Sequence, residues 1–239
     1  MGSYDTDYYD ANDQNGDRIA LKWYAGLAAR RIAKGGRVLD YGCGTGYFLR
    51  RLDRFFDVSG FDISDFARTS ASQLVPSATM YPVSTAVPDS SHDGVVSLHV
   101  LEHIEQPLDA FREMHRILKP GGTAMVVVPD CDGRGHRKKG KDWFAYKDPT
   151  HCTFLTSAEW CVLAIEAGFE VVLEGSDGLW DSPYSGLPRI IDRLVYGAPL
   201  ILRVLTTTLD PRPNRGECAV LILRKPTGTS TGANVSVND

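Results

Sequence analysis

Val38-Leu39-Asp40-Tyr41-Gly42-Cys43-Gly44-Thr45-Gly46 decides how this chain folds. Two branched apolar residues and a carboxylate close a short strand at residues 37–40, and residues 47–54 continue as a helix. Between them three glycines stand at alternate positions, so the backbone can turn sharply and approach a ligand without Cβ clashes. A glycine loop between a parallel strand and the helix after it is where an open α/β sheet holds its ligand. The dinucleotide fingerprint spaces its glycines G-x-G-x-x-G and aims a helix N-terminus at a pyrophosphate. Here the spacing is G-x-G-x-G with Asp40 in front. A carboxylate repels a pyrophosphate and attracts an ammonium or sulfonium, so the loop suits a nucleoside that carries positive charge.

Outward from the loop, strand-length and helix-length segments alternate. Strands are expected at residues 56–61, 78–83, 94–98, 123–128, 169–173 and 218–223, and helices at 65–74, 108–118 and 158–167. Lys119-Pro120-Gly121-Gly122 is expected to stop the helix before it. The alternation implies a mostly parallel sheet with helices on both faces. Residues 130–156 and 177–215 are long for connections, and such segments are usually functional or ordered by something else. The stretch 187–205 holds more apolar residues, with Tyr196, than a short connection needs, and is expected to cover a substrate pocket or a dimer contact.

Composition narrows the function. The 239 residues are 43% apolar and 23% charged, the mix of a soluble globular domain. A net charge of −4 gives no global attraction to nucleic acid or anionic membrane, although a local basic patch could supply one. The five cysteines are scattered and odd in number, which argues against a disulfide framework and a zinc site and for a reducing, cytoplasmic setting. The 187–205 stretch is interrupted by Arg189, Asp192, Arg193, Pro199 and Arg203, too many breaks for a bilayer span.

Three stretches together resemble the class I S-adenosylmethionine-dependent methyltransferases: the glycine loop, Ser97-Leu98-His99-Val100-Leu101-Glu102-His103-Ile104, and residues 111–122 ending in Lys119-Pro120-Gly121-Gly122. The resemblance covers residues 37–175 and the closing strand from Cys218. It implies a Rossmann-like seven-stranded sheet whose last strand alone is antiparallel. It divides the chain into an N-terminal helical cap (1–36), a methyltransferase domain (37–225) with insertions at 130–156 and 177–215, and a disordered tail (226–239). S-adenosyl-L-methionine is the implied cofactor.

On this resemblance Asp40, Gly42, Gly44 and Gly46 form the cofactor loop. Asp62, 22 residues after Asp40, would accept hydrogen bonds from both ribose hydroxyls. Its alternative role is to cap the helix that starts at Asp65, for which Ser64 is the stronger claimant. Ile63 would pack on the adenine, and the backbone carbonyls at Ser97 and Leu98 would take the methionine ammonium. Family members often carry an acid after the third strand where the adenine amino group binds. Val83-Ser84-Thr85-Ala86-Val87-Pro88 has none, which leaves Ser84 or the backbone.

An alcohol or phenol acceptor must also lose a proton, which calls for a general base. Of six histidines, His99 lies at the sheet edge and His151 at the end of the first insertion, in a segment similar to the histidine-bearing one of ubiquinone-biosynthesis O-methyltransferases. His103 and His115 read as structural, His92 as an exposed turn residue, and Arg134 to Lys141 as a solvated loop or an anion-attracting rim. Trp143, Phe144, Tyr146 and Trp180 could wall an aromatic or sugar-like acceptor, and Tyr4, Tyr8 and Tyr9 could fold over the cofactor. The expectation is methyl transfer to a hydroxyl oxygen of a small molecule, without metal, nucleic-acid partner or stable membrane insertion, and with a homodimer as one use of the 187–205 stretch. Transfer to nitrogen or carbon, or cofactor binding without turnover, are the alternatives.

Overall fold

A computed structural model describes residues 8–9, 16–185 and 188–228. Tyr4 and the end of the tail from 229 on lie outside the described residues. Seven strands form one sheet: β1 (Arg37–Tyr41), β2 (Asp57–Phe61), β3 (Thr79–Tyr81), β4 (His92–Leu98), β5 (Leu118–Pro129), β6 (Glu170–Ser176) and β7 (Cys218–Arg224). Their spatial order is β3-β2-β1-β4-β5-β7-β6. β1 pairs parallel with β2 and β4, and β7 runs antiparallel between β5 and β6. Among the described residues the helices with assigned bounds are α1 (Ile19–Ala29), α2 (Tyr47–Leu52), α3 (Asp65–Leu74), α4 (Pro107–Ile117), α5 (Arg134–Lys139), α6 (Ser157–Glu166) and α7 (Arg189–Thr206).

Alternation along the central strands builds two cores. Leu39, Val95, Ala124, Val126 and Leu221 pack with Phe111, Met114 and Trp160 of α4 and α6. Their neighbours Val38, Val96, Met125, Val127 and Val220 point the other way, onto Trp23, Leu27 and Leu49 of α1 and α2. Strands apolar on both faces are what a parallel sheet covered on both sides requires. The strand order reverses between β1 and β4, so the crevice at their C-terminal ends is the place for a ligand.

The structure corrects several boundaries. β3 is three residues at the sheet edge, shorter than 78–83 suggested. Lys119-Pro120-Gly121-Gly122 ends α4 but is already part of β5, because the backbone of Gly121 and Gly122 bonds to Lys225. His92 is not an exposed turn residue. It opens β4, is buried, and bonds through Nε2 to Ser59 and through Nδ1 to Ser91. Burial, with the Arg37 charge, pushes its pKa down to about 4, so the ring is neutral.

Candidate functional site

The glycine loop takes its shape from positive φ angles at Gly42 (81°), Gly44 (50°) and Gly46 (88°). A Cβ at Gly42 would lie 2.4 Å from a Val100 methyl, and one at Gly46 would lie 2.7 Å from the Ala71 backbone. Glycine is required there by both torsion and space. The amides of Gly42 and Cys43 bond to the Phe61 carbonyl, tying the loop to the end of β2.

Asp62 stands just beyond that end, buried, with each carboxylate oxygen held by an amide. Gly44 N donates to Oδ2 and Ser64 N to Oδ1, both at 2.9 Å. Ser64 is the cap of α3, accepting from Ala67 N, so capping is not the task of Asp62. Burial raises the Asp62 pKa, while the two amides and Arg68 pull against that shift. Ile63 beside it is largely exposed, a free apolar face next to a fixed carboxylate.

Asp40 lies beneath the loop, and its Oδ2 is buried without a hydrogen-bond partner. Burial and the nearby Asp62 charge push its pKa up to about 8. Ser97 Oγ, at the end of β4, is likewise buried and unbonded. Leu98 is half-buried beside it. Ser84 sits in a 3₁₀ turn after β3, its carbonyl accepting from Arg116 and its hydroxyl beside Tyr41 and Glu113. Tyr9 is buried over the loop, its ring 3.4 Å from where a Gly44 Cβ would be, and Tyr8 donates to Asp148 of the first insertion.

Across the crevice, β4 is followed by His99, a non-glycine residue with φ of 54°. A side chain in this sparsely populated region costs roughly 1 kcal/mol or more and persists only when its surroundings hold it. Its Nδ1 lies 3.3 Å from Glu102 Oε1, and the ring is about one-third exposed. Glu102 is fully buried in the following 3₁₀ turn. Burial would raise its pKa, but the His99 hydrogen bond and the charges of His99, His103 and His151 hold it below the usual range.

The first insertion closes over this turn. Cys152 N and Thr153 N donate to the Glu102 carbonyl, and His103 Nδ1 meets Thr150 Oγ1 at 2.9 Å. His151 is only 6% exposed. Its Nδ1 bonds to the Ala145 carbonyl at 2.6 Å, and its Nε2 is 4.0 Å from both Glu102 and Asp148. His99 and His151 therefore share one buried carboxylate. Glu102, His103 and His151 also bring one donor atom each within 4.8 Å of one another, a set that could take a divalent cation.

The aromatic residues divide. Phe144 meets the His99 ring edge-on at 6.1 Å. Trp143 is buried and donates to Glu217 at 2.8 Å, fastening the insertion to the body, while Tyr146 is exposed. Trp180 packs on Trp23, and the Nε1 atoms of both are buried without partners. Asp177 and Glu217, which sequence reasoning passed over, are buried below this wall. Asp177 accepts from Tyr24 and from the amides of Glu217 and Cys218, and Glu217 from Trp143 and Tyr184. Burial pushes Glu217 up to about 7. Neither acid lies in a recognisable motif, and each stands at the edge of an insertion.

A parallel sheet reversing at β1/β4, a glycine cradle with no room for side chains, and two acids beneath it define a class I S-adenosylmethionine-dependent methyltransferase. The methyltransferase-domain family matches residues 12–174, and the chain belongs to it. A Mycolicibacterium smegmatis protein named a probable S-adenosylmethionine-dependent methyltransferase is 33% identical over 60% of this chain and 55% of its own. Ubiquinone biosynthesis O-methyltransferase of Xanthomonas campestris is 31% identical over 42% of this chain and 46% of its own. The chain thus spans about half the length of these curated relatives. A chain from the Haloferax volcanii complex with the Trm112 methyltransferase activator superposes with a TM-score of 0.67 at 19% identity, covering 95% of this chain and 99% of that one. The cofactor is S-adenosylmethionine, and the residues fit it. The buried, unbonded Asp40 oxygen under the loop suits a positively charged ligand, Gly42 and Gly46 admit backbone only, and Ile63 offers an open apolar face beside Asp62.

Proposed function

We propose that the chain methylates a hydroxyl oxygen of a small aromatic or sugar-like acceptor, with His99 as general base. The observation that carries this reading is the His99–Glu102 pair at the C-terminal end of β4. S-adenosylmethionine supplies an electrophilic methyl group for in-line displacement, so the chain's task is positioning plus removal of one proton. Glu102 accepts the Nδ1 proton of His99 and fixes the tautomer, which leaves Nε2 as the lone pair that can take a hydroxyl proton. The resulting imidazolium is stabilised by the same buried carboxylate. Phe144 and the half-buried Trp180 furnish flat apolar surface, suited to a ring that bears oxygens. His151, the other candidate base, is more enclosed and holds Glu102 and the insertion in place, a positioning role.

The test is S-adenosylhomocysteine release against a panel of catechols and saccharides, with cofactor affinity measured by calorimetry. His99→Ala should keep that affinity within about twofold and lower turnover by roughly 10²–10⁴. Glu102→Gln should lower turnover less than His99→Ala, since the ring keeps its Nε2 lone pair and loses only the charged partner that stabilises the imidazolium. Wild-type turnover in His99→Ala would remove His99 from the mechanism. In that case a sharp loss in His151→Ala would assign the base to His151.

A metal-assisted reading also has one observation behind it, the Glu102–His103–His151 donor set together with the buried, unbonded Glu102 Oε2. A divalent cation there would polarise the acceptor hydroxyl. Turnover lost to a chelator and restored by Mn²⁺ or Zn²⁺ selects this reading, and chelator-insensitive turnover selects the unassisted base.

A further inference from the structure

The run from Arg134 to Lys141, which the sequence leaves as a solvated loop or an anion-attracting rim, is divided by its fold. Two residues of α5 serve the body of the domain. His136 Nδ1 donates to the Cys131 carbonyl while its ring packs on Trp143, and Lys139 pairs with Asp181. Arg134, Arg137 and Lys138 instead line an open cavity of about 550 Å³ with Pro213, Asn214 and Arg215. No residue of the glycine loop or of the His99–Glu102 pair belongs to that lining.

The two sides of the cavity are tied together. Arg134 N donates to the Asn214 carbonyl at 3.1 Å, and Gly135 N to the Gly216 carbonyl at 3.0 Å. The Arg137 guanidinium reaches the same Asn214 carbonyl, and Arg215 N donates to Ser176 Oγ. Tyr196 steadies two of the cations. It lies on the side of α7 that carries Asp192, which accepts from Ser182 and Ser185, and Arg203, which pairs with Asp210. Lys138 donates to the Tyr196 hydroxyl at 3.0 Å, and both the Lys138 ammonium and the Arg134 guanidinium stand over its ring. Among the described residues, Arg137 is paired with a carboxylate, Asp132, whereas Arg134, Lys138 and Arg215 are not. Cations on long side chains ordinarily splay apart into water. Here bonded walls keep four of them around one concavity, and an anion relieves their mutual repulsion. In a chain of net charge −4, this concentration of positive charge is local.

We propose that this cavity is a binding site for a small molecule that carries a phosphate or diphosphate group. Three cations without carboxylate partners match an anion of more than one charge, and guanidinium forks pair with phosphate oxygens two at a time. The volume falls in the range of small-molecule pockets, roughly 300–1,000 Å³. A nucleic-acid backbone asks instead for a continuous basic stripe, and Asp132 and Asp181 interrupt the positive charge of α5 by pairing with Arg137 and Lys139. The site is independent of the identity of the methyl acceptor and of the role of His99.

Calorimetry of the full chain with sodium pyrophosphate, at fixed ionic strength and with S-adenosylhomocysteine filling the glycine loop, tests the proposal. Saturable one-to-one binding is expected with a dissociation constant under about 1 mM, and roughly tenfold weaker binding of inorganic phosphate. Raising the salt should weaken both. Arg134→Gln/Arg215→Gln should raise the pyrophosphate dissociation constant by roughly tenfold or more. Arg30→Gln/Lys34→Gln removes the same charge from exposed positions outside the cavity and should change it by less than about twofold. Unchanged S-adenosylhomocysteine affinity certifies the fold of both variants. No saturable binding by the wild type, or equal losses in the two variants, would overturn the proposal. So would a poly(U) oligonucleotide that binds through Arg134 and Arg215 while pyrophosphate does not, which would give the surface to nucleic acid.

Discussion

Replacing Asp62 probes two functions of one carboxylate at once. Its oxygens brace the Gly44 and Ser64 amides at 2.9 Å, and their remaining lone pairs are what a ribose diol would use. Hydrogen bonds to a charged group are worth roughly 1.5–3 kcal/mol each. Two ribose bonds, less the water that replaces them in the variant, come to about 2–4 kcal/mol, a 30- to 1,000-fold loss in affinity. Asp62→Ala also leaves two amides without their acceptor, which should lower stability by about 1–3 kcal/mol. Asp62→Asn separates these effects. It keeps one acceptor oxygen for the loop, so up to half of the lost stability should return, but its amide NH₂ cannot accept from the ribose and affinity should stay low. Calorimetry with S-adenosylmethionine and S-adenosylhomocysteine, beside urea titrations, reads both quantities. The two ligands share the ribose and should weaken by the same factor. A folded Asp62→Ala protein with wild-type affinity for both would refute the reasoning and leave Asp62 as a loop brace.

Asp40, with its pKa near 8, is largely neutral at pH 7 before the cofactor binds, and a positive ligand favours its charged form. S-adenosylmethionine affinity should therefore rise from about pH 6 to 8 with release of a proton, and Asp40→Asn should abolish both effects; an affinity that is flat with pH in the wild type contradicts this. His92 is neutral in the fold, with its pKa lowered from 6.5 to about 4. Its contribution to stability is complete above 6.5 and is lost as pH falls toward 4, so the thermal midpoint should drop across that window and drop less in His92→Gln. Equal acid sensitivity in the two proteins would point to another group. Gly46→Ala puts a Cβ 2.7 Å from the Ala71 backbone at a φ of 88°, and should cost about 1–3 kcal/mol in urea titrations along with cofactor affinity; a variant as stable as the wild type would mean that α3 yields freely.

What the sequence determined by itself is local. A strand, three alternate glycines and a helix need only neighbouring torsions and apolar alternation, so β1, the loop and the ends of β2 and β4 were legible, with Asp40, Asp62, Ile63 and His99 at their tips. Tertiary structure decided whatever depends on partners far along the chain. Ser90-Ser91-His92-Asp93 reads as a polar turn, and His92 is buried because its ring bonds to Ser59 of β2, two strands away, and β4 pairs with Leu118. Glu102 became the shared partner of His99 and His151 only when residues 148–153 folded onto its turn, a contact 49 residues away for His151. The buried Asp177 and Glu217 follow no spacing rule because their donors come from Tyr24, Trp143 and Tyr184. For α7 the apolar count was visible in sequence but its direction was not. Periodicity shows that a helix has an apolar side, and only the anchors Asp192 and Arg203, by taking the inner face, turned that side outward.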